Sequence, residues 1–286
     1  MVNYFTEENS AETVIERLKD TPDPRLKEIM TAAIRHLHAF VKEVEPTLEE
    51  WMQAIQWLTR VGQISDDKRQ EWILASDTLG VSMLVETINH RSIEGATEAT
   101  VLGPFFVPGS PDLPMGADIC LDKKGERCLC EGVVTDQRGR PLEGAVLDVW
   151  MGNAEGFYAV QQPGVQDEMN LRGRFTTGPD GKYWFWTTKP VPYPIPTDGP
   201  VGDMLRATDR QPYRPAHVHF MVSAPGYETL TTHVFPEGDP FLDKDPVFGV
   251  KESLVIPFPK TGDHVHAVYD FALKPDVAVK AAAAAE

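Results

Sequence analysis

An α+β fold is predicted from a change in residue patterning near residue 95 and from the turn chemistry that follows it. Before that point, apolar residues recur at three- and four-residue steps, as in amphipathic helices. After it, β-branched and aromatic runs alternate with turn sequences such as GPDG and APGY, and no helical stretch separates them. We therefore expect a helical region over residues 1–97, an antiparallel β-sandwich over 98–275 and a low-complexity tail over 276–286.

Three helices are predicted in the first region. The first covers residues 24–40, which carry one apolar stripe. The second starts at Thr47, because TLEE is a capping box in which Glu50 returns a hydrogen bond to the first residue. The third covers residues 66–88, although Gly80 inside it costs up to ~1 kcal/mol relative to alanine and disfavours one unbroken helix.

Seven strands and one stiff loop are predicted in the second region. The loop PVPYPIPTDGP cannot form a central strand, because proline lacks the backbone donor that a sheet ladder requires. Its prolines favour an extended, rigid connection instead. The predicted strands cover residues 128–136, 145–151, 173–177, 182–188, 217–223, 229–235 and 266–273.

Composition excludes several classes of protein. A net charge of −16 argues against nucleic-acid binding, which needs a concentrated basic surface. The three cysteines are too few for a secreted disulfide framework, and the pair in CLC is typical of a strand. No run approaches the ~20 apolar residues that span a membrane, and the first residues lack signal-peptide features. A cytoplasmic protein is therefore expected.

The segment YRPAHVHF contains the clearest candidate metal ligands. In a strand, residues two apart share a face, so His217 and His219 would point the same way and could bind one zinc, copper, iron or nickel ion. The pattern alone does not identify a metal site, since His264 and His266 repeat it. Two tyrosines in loops could complete the site, but taken alone each is better explained as a structural residue, one as a loop tyrosine and the other as a packing residue between prolines. These are Tyr158 in GNAEGFY and Tyr193 in the proline-rich loop.

Taken together, these segments resemble the intradiol dioxygenases. The resemblance is carried by PVPYPIPTDGPVG and YRPAHVHF, and also by TEATVLGPFFV, GFY, LRGRFTTGPDGKY and DPVFGVK. It extends from the N-terminal helices to the last strand. It implies an N-terminal helical dimerisation region, a β-sandwich catalytic domain, and a homodimer that can hold a lipid between its N-terminal helices.

The resemblance also implies a ligand set and a role for one arginine. One ferric ion per subunit would be held by Tyr158, Tyr193, His217 and His219, with a further position open to substrate. A hard trivalent ion stabilises phenolates that would otherwise be protonated near neutral pH. Tyr193 would leave the ion when a diol binds and take up a proton. Arg214 would stabilise negative charge that develops on the substrate.

The implied activity is cleavage of a catecholic ring by O₂ between two adjacent hydroxyl groups. His233 stands where catechol-cleaving members usually carry glutamine, and members acting on hydroxyquinol (1,2,4-trihydroxybenzene) tend to have histidine there. Asp77 could accept a hydrogen bond from the third hydroxyl, which catechol lacks. We therefore expect hydroxyquinol to be converted to 3-hydroxy-cis,cis-muconate (maleylacetate), with catechol or chlorocatechol as alternatives. The resemblance implies further pocket walls at Leu74, Val101, Pro104, Phe105, Ile195, Pro196 and Val247.

Two other classes of protein stay open at this point. An Fe(II) oxygenase would use two histidines and a carboxylate, but no matching His-x-Asp arrangement is present. A β-sandwich binding module with structural histidines would bind no iron. It would also leave the two tyrosines and Arg214 without a role.

Overall fold

The computed structural model describes residues 4–66, 69–91 and 93–276, and the chain divides into two compact units, Met1–Arg60 and Val61–Glu286. None of the described helices is long and apolar enough to cross a membrane. The boundary expected at residue 97, between a helical region and a catalytic β-sandwich, stays a prediction. Of the expected tail, residues 277–286 lie outside the described part of the chain.

Two of the predicted helices are present close to their expected positions. They are α2 (Pro24–Val44) and α3 (Leu48–Ile64), and a short α1 (Ser10–Glu16) precedes them. The predicted capping box is confirmed: the Glu50 carboxylate accepts a hydrogen bond from the Thr47 amide at 2.8 Å, and the Glu50 amide donates to the Thr47 hydroxyl at 3.2 Å.

The third predicted helix is two helices, so the expected single segment 66–88 is wrong. The first is α4 (Glu71–Thr78) and the second is α5 (Val81–Asn89). Gly80 lies between them with a φ of 75°, a left-handed conformation that glycine adopts without steric cost and that ends a helix. The break fixes where α4 ends, and α4 carries two of the candidate pocket residues, Leu74 and Asp77.

The predicted sandwich consists of two five-stranded sheets, to which a two-stranded ribbon is added. The first sheet has the order β10-β11-β1-β12, and β4 also pairs with β1. The second has the order β3-β2-β7-β8-β9. The strands are β1 (Arg127–Asp136), β2 (Val146–Trp150), β3 (Arg172–Thr176), β4 (Lys182–Thr188), β5 (Tyr193–Pro194), β6 (Tyr213–Arg214), β7 (Val218–Ser223), β8 (Leu230–Pro236), β9 (Val255–Ile256), β10 (Lys260–Thr261), β11 (His264–Val268) and β12 (Phe271–Leu273).

The sheets are mixed, which corrects the expectation of a purely antiparallel sandwich. β1 runs parallel to both β11 and β12, and β8 runs parallel to β9. The expected single strand 266–273 is interrupted at Asp270, whose carboxylate accepts a hydrogen bond from the Val133 amide of β1 at 2.8 Å. The side chain thus occupies one place in the ladder, and the backbone resumes pairing beyond it.

The core lies between the two large sheets. Phe175 of the second sheet stacks on Phe185 of the first, with ring centroids 5.1 Å apart. Cys128 and Cys130 are buried on β1 as free thiols, as predicted for strand residues. The packed sandwich gives rigid support to the strands that carry the candidate site.

The proline-rich loop departs from a plain extended connection at both ends. Tyr193 and Pro194 form β5, which pairs with β6 so that Tyr193 lies opposite Arg214. Farther along, α6 (Pro200–Ala207) was not predicted. Pro200 occupies the first turn of α6, where a missing backbone donor costs nothing.

Candidate metal centre

Two of the predicted ligands come from the central strand of the second sheet. His219 lies on β7, between β2 and β8, and His217 immediately precedes this strand. Both side chains are buried, and their Nε2 atoms are 3.1 Å apart. The two imidazoles therefore face one point, as the two-residue spacing predicts.

Two phenol oxygens reach the same point, one from a loop and one from the short strand β5. Tyr158 Oη lies 2.9 Å from His219 Nε2 and 3.4 Å from His217 Nε2. Tyr193 Oη lies 3.4 Å from His217 Nε2 and 3.3 Å from Tyr158 Oη. Four electron-pair donors from three separate parts of the chain thus converge within the second unit.

The spacing of these four donors fits a single metal ion. The His217 Nδ1 atom lies 2.8 Å from the Pro215 carbonyl oxygen, to which it donates, so Nε2 presents a lone pair. Donors held at about 2.0–2.1 Å from one ion are separated by about 2.9–3.4 Å for right-angle to tetrahedral geometry. The separations observed here, from 2.9 to 3.4 Å, span the same interval.

Burial sets the protonation of the donors. It lowers the pKa of both His217 and His219 well below the ordinary value, so each imidazole is neutral and able to bind a metal. Burial also raises the pKa of the Tyr158 phenol well above its ordinary value, and the positive charges of Arg214 and Arg172 act in the opposite direction. A bound cation would lower the pKa of the Tyr158 phenol and so favour the phenolate.

A third histidine stands beside these two. His233 on β8 lies opposite His219 in the ladder, and their ring centroids are 4.2 Å apart. His217, His219 and His233 each offer a ligand atom within 4.8 Å of the others, and within the described chain this cluster includes no carboxylate. The His233 Nδ1 atom makes a short hydrogen bond with the Thr100 hydroxyl. The two phenols, rather than His233, make the direct contacts with the converging Nε2 atoms.

The repeated histidine pair on β11 does not take part in this centre. His264 pairs with Asp263 at 3.1 Å and His266 with Glu131 at 3.0 Å. Each imidazole therefore has a carboxylate partner near the surface. Among the residues that the structure describes, no carboxylate joins the buried histidine cluster, so the arrangement also differs from an Fe(II) site built from two histidines and one acid.

Aromatic rings and two glycines fix the orientation of the donors. Phe105 stacks on Tyr158 with ring centroids 4.5 Å apart. A Cβ atom at Gly103 would lie 3.2 Å from His219 Cε1, and one at Gly156 would lie 2.9 Å from Tyr193 Cβ. Sequence reasoning missed both glycines, although both fall inside segments that carry the family resemblance.

Arg214 is brought to the centre by β6. Its Nη1 atom lies 3.5 Å from Tyr193 Oη and 3.4 Å from His217 Nε2. On its other side it pairs with Asp245, which sequence reasoning did not single out. The only signal for Asp245 was its place in DPVFGVK, one of the family-like segments.

A cavity of about 770 Å³ opens beside the centre. Phe105, stacked on Tyr158, forms part of its wall, and Asp77 contributes a nearly buried carboxyl group whose pKa is raised by that burial. Val101 does not line this cavity, and Ile195 and Val247 pack together behind it. The predicted pocket residues that line it are Leu74, Asp77, Pro104, Phe105 and Pro196.

Comparisons with known proteins give matches over most of the chain. The family model described as "Dioxygenase" matches residues 102–275, and "Catechol dioxygenase N terminus" matches residues 23–97. A hydroxyquinol 1,2-dioxygenase from a Rhizobium species is 61% identical over 260 residues, covering 91% of this chain and 88% of the relative. A 6-chlorohydroxyquinol 1,2-dioxygenase from Cupriavidus pinatubonensis is 50% identical over 272 residues, covering 95% and 98%. The solved hydroxyquinol 1,2-dioxygenase of Pseudomonas putida superposes with a TM-score of 0.90 at 47% identity, covering 94% and 99%.

Proposed function

Because the chain belongs to the intradiol dioxygenase family, we propose that it opens the ring of hydroxyquinol with O₂ to give 3-hydroxy-cis,cis-muconate (maleylacetate). The observation that carries the reaction type is the convergence of two phenol oxygens and two imidazole nitrogens beside a cavity large enough to admit an aromatic ring. The relatives named for hydroxyquinol and chlorohydroxyquinol support the choice of substrate.

We propose one ferric ion per subunit, held by Tyr158, Tyr193, His217 and His219. Two phenolates are hard anionic donors, and they favour the trivalent over the divalent state of iron. Neutral imidazoles complete the set without adding charge. When bound, the ion would act as a Lewis acid that activates a chelated diol toward O₂.

The chain itself supplies a proton acceptor and a positive charge. Tyr193 lies on a strand of only two residues, β5, and we propose that its side chain leaves the centre when a diol binds. Released from the centre, its oxygen can accept a proton from a substrate hydroxyl. Arg214, 3.5 Å from that oxygen, then faces the diol and stabilises the negative charge that builds up on it.

Asp77 favours the binding of hydroxyquinol, which has three hydroxyl groups, over catechol, which has two. Its carboxyl group is buried and faces the cavity, where the third hydroxyl of hydroxyquinol would donate a hydrogen bond to it. Catechol would make no such hydrogen bond, so this carboxyl group would keep Ser82 as a partner and lose a contact that contributes about 1.5–3 kcal/mol to a charged acceptor. We also propose that His233 supports the metal ligands from behind, because it packs against both candidate histidine ligands.

Turnover of hydroxyquinol and catechol by the purified protein, after iron content is measured, tests the proposal. We expect kcat/KM to favour hydroxyquinol, and Asp77→Ala to reduce that preference by about tenfold or more, as 1.4 kcal/mol corresponds to a factor of ten. Glu168→Gln changes an exposed carboxylate that lines the same cavity, and it should leave the preference unchanged. Equal losses on both substrates would remove Asp77 from substrate selection.

We also propose that two copies associate through the N-terminal helices in the cytoplasm. The three buried, free cysteines suit a reducing compartment. An apolar stripe on α2 supports the dimer and could also contact a lipid acyl chain. Light scattering of Leu37→Glu should show a monomer if this surface forms the dimer. The stripe consists of exposed Leu26, Ile29, Met30, Leu37, Phe40, Val41 and Val44.

A further inference from the structure

The Asp245 carboxylate holds one edge of the Arg214 guanidinium. Arg214 Nε donates to Asp245 Oδ1 at 3.1 Å, and Nη2 donates to Oδ2 at 3.4 Å. The same carboxylate accepts hydrogen bonds from the backbone amides of Val247 at 3.3 Å and Gly249 at 2.9 Å. Both charged side chains are buried, with 3% of Arg214 and 6% of Asp245 exposed. The orientation of the Asp245 carboxylate is therefore set by backbone amides of its own loop, independently of Arg214.

The nitrogen atoms of the Arg214 guanidinium face two different groups of neighbours. Nε and Nη2 face Asp245, whereas Nη1 faces Tyr193 Oη and His217 Nε2. A planar guanidinium that is held along its Nε–Nη2 edge cannot rotate to offer Nη1 elsewhere. We propose that Asp245 is a positioning residue, which aims Arg214 Nη1 at the substrate side of the centre. This inference rests on the proposed function, in which Arg214 stabilises charge on the diol.

Asp245 also gives the buried guanidinium its counter-charge, through the ion pair between Arg214 Nε and Asp245 Oδ1 at 3.1 Å. A neutral partner would leave a buried cation without a counter-charge, with donors free to turn toward other acceptors. The pair thus fixes the direction of Arg214.

The loop that carries Asp245 is built for this contact. A Cβ atom at position 249 would lie 3.0 Å from Arg214 Nη2 and 3.2 Å from Asp245 Oδ2, so Gly249 leaves room for the pair. Arg210 ties the loop to α4, because it donates to the Pro246 carbonyl at 3.0 Å and to the Thr78 carbonyl at 2.7 Å. The position of Asp245 is therefore set by the same framework that carries the cavity wall.

Steady-state kinetics of Asp245→Asn test the proposal. We expect kcat on hydroxyquinol to fall by about 10²-fold, the scale of a misplaced catalytic group, while KM changes by less than threefold and iron content stays at the wild-type level. Asp136→Asn is the matched control. Asp136 is also buried, and its carboxylate accepts hydrogen bonds from Arg140 Nε at 2.7 Å and from two backbone amides. It lies away from the centre, on β1. It should leave kcat unchanged.

A double-mutant cycle separates positioning from a structural role. If Asp245 acts through Arg214, then adding Asp245→Asn to Arg214→Met should change kcat by less than about twofold. Losses that multiply would overturn the proposal. Asp245→Glu, which keeps the charge but displaces it, serves if the asparagine variant does not fold, and it should also lower kcat.

A crystal structure of the Asp245→Asn holoenzyme provides a readout that is independent of turnover. The Arg214 guanidinium should have turned so that Nη1 no longer faces Tyr193, and an unchanged orientation would contradict the inference. If the wild-type protein bound no iron or turned over neither diol, the proposed function would fail. The crystallographic comparison would still decide whether Asp245 orients Arg214.

Discussion

The indole of Trp150 stacks on the imidazole of His219, with ring centroids 4.7 Å apart and planes 15° from parallel. The two residues are direct neighbours across the β2–β7 ladder, and both are buried. His233 packs against the same imidazole at a steeper angle. A candidate metal ligand is thus held by ring contacts from two adjacent strands.

Truncation of Trp150 should therefore weaken the fold and the metal centre together. We expect Trp150→Ala to lower the free energy of unfolding by about 3–5 kcal/mol, since it removes a fully buried ring, and Trp150→Phe to lower it less. Iron bound per chain should fall in the same order. Urea unfolding and metal analysis measure both effects, with half-exposed Trp184→Phe as the control. An alanine variant of unchanged stability would contradict this account.

Gly156 should be essential for the position of Tyr193. Gly156→Ala combines a strained left-handed backbone (φ of 85°) with a methyl group 2.9 Å from Tyr193 Cβ. Gly164→Ala is the matched control, because its φ of 76° gives similar strain of about 1–2 kcal/mol but its Cβ meets no atom within 4 Å. We expect only the Gly156 variant to lose activity, by about 10²-fold. Equal activities would show that Tyr193 tolerates the displacement.

The visible spectrum should report the two tyrosines directly. If both phenolates bind ferric iron, Tyr193→Phe and Tyr158→Phe should each weaken and shift the phenolate-to-iron absorption band. Tyr183→Phe removes another buried hydroxyl, one that donates to the Tyr269 carbonyl in the core, and should leave the band unchanged. A spectrum of Tyr193→Phe identical to that of the wild type would remove Tyr193 from the ligand set.

The stability of Asp77→Asn relative to the wild type should depend on pH. Burial raises the pKa of Asp77 in the folded protein above its ordinary value of about 3.9. The wild-type carboxyl group therefore costs stability once pH rises through its folded pKa, and it costs nothing below the unfolded value. We expect the asparagine variant to gain stability over the wild type at pH 8 and to lose that advantage toward pH 4. Chemical unfolding at several pH values measures the difference, which should not grow in the acid direction.

Local patterns in the sequence were sufficient for the elements that local forces determine. The predicted strand 182–188 is β4 to the residue, and the Thr47–Glu50 capping box forms as expected. The pairing of His217 with His219 also follows from strand periodicity alone. In each case the interacting groups lie within a few residues of one another, so spacing carries the information.

The features that the sequence did not reveal depend on distant partners. Asp245 contacts Arg214 across 31 positions, and nothing in the spacing of the chain marks that pair. The Asp270 side chain interrupts a strand because of a contact with Val133, 137 positions away. The parallel pairing of β1 has the same origin, since strand direction depends on the path of the whole chain.

That parallel pairing also sets the order in which the protein can be completed during synthesis. β1 begins at Arg127, but two of its neighbours, β11 and β12, end the described sandwich at Leu273. Until those strands leave the ribosome, one edge of β1 in the nascent chain has no partner and can pair with other chains. Contacts that close over such long separations form slowly. Pairing of β11 and β12 with β1, rather than formation of β7, which carries His219, is therefore the point at which this sheet becomes protected from aggregation.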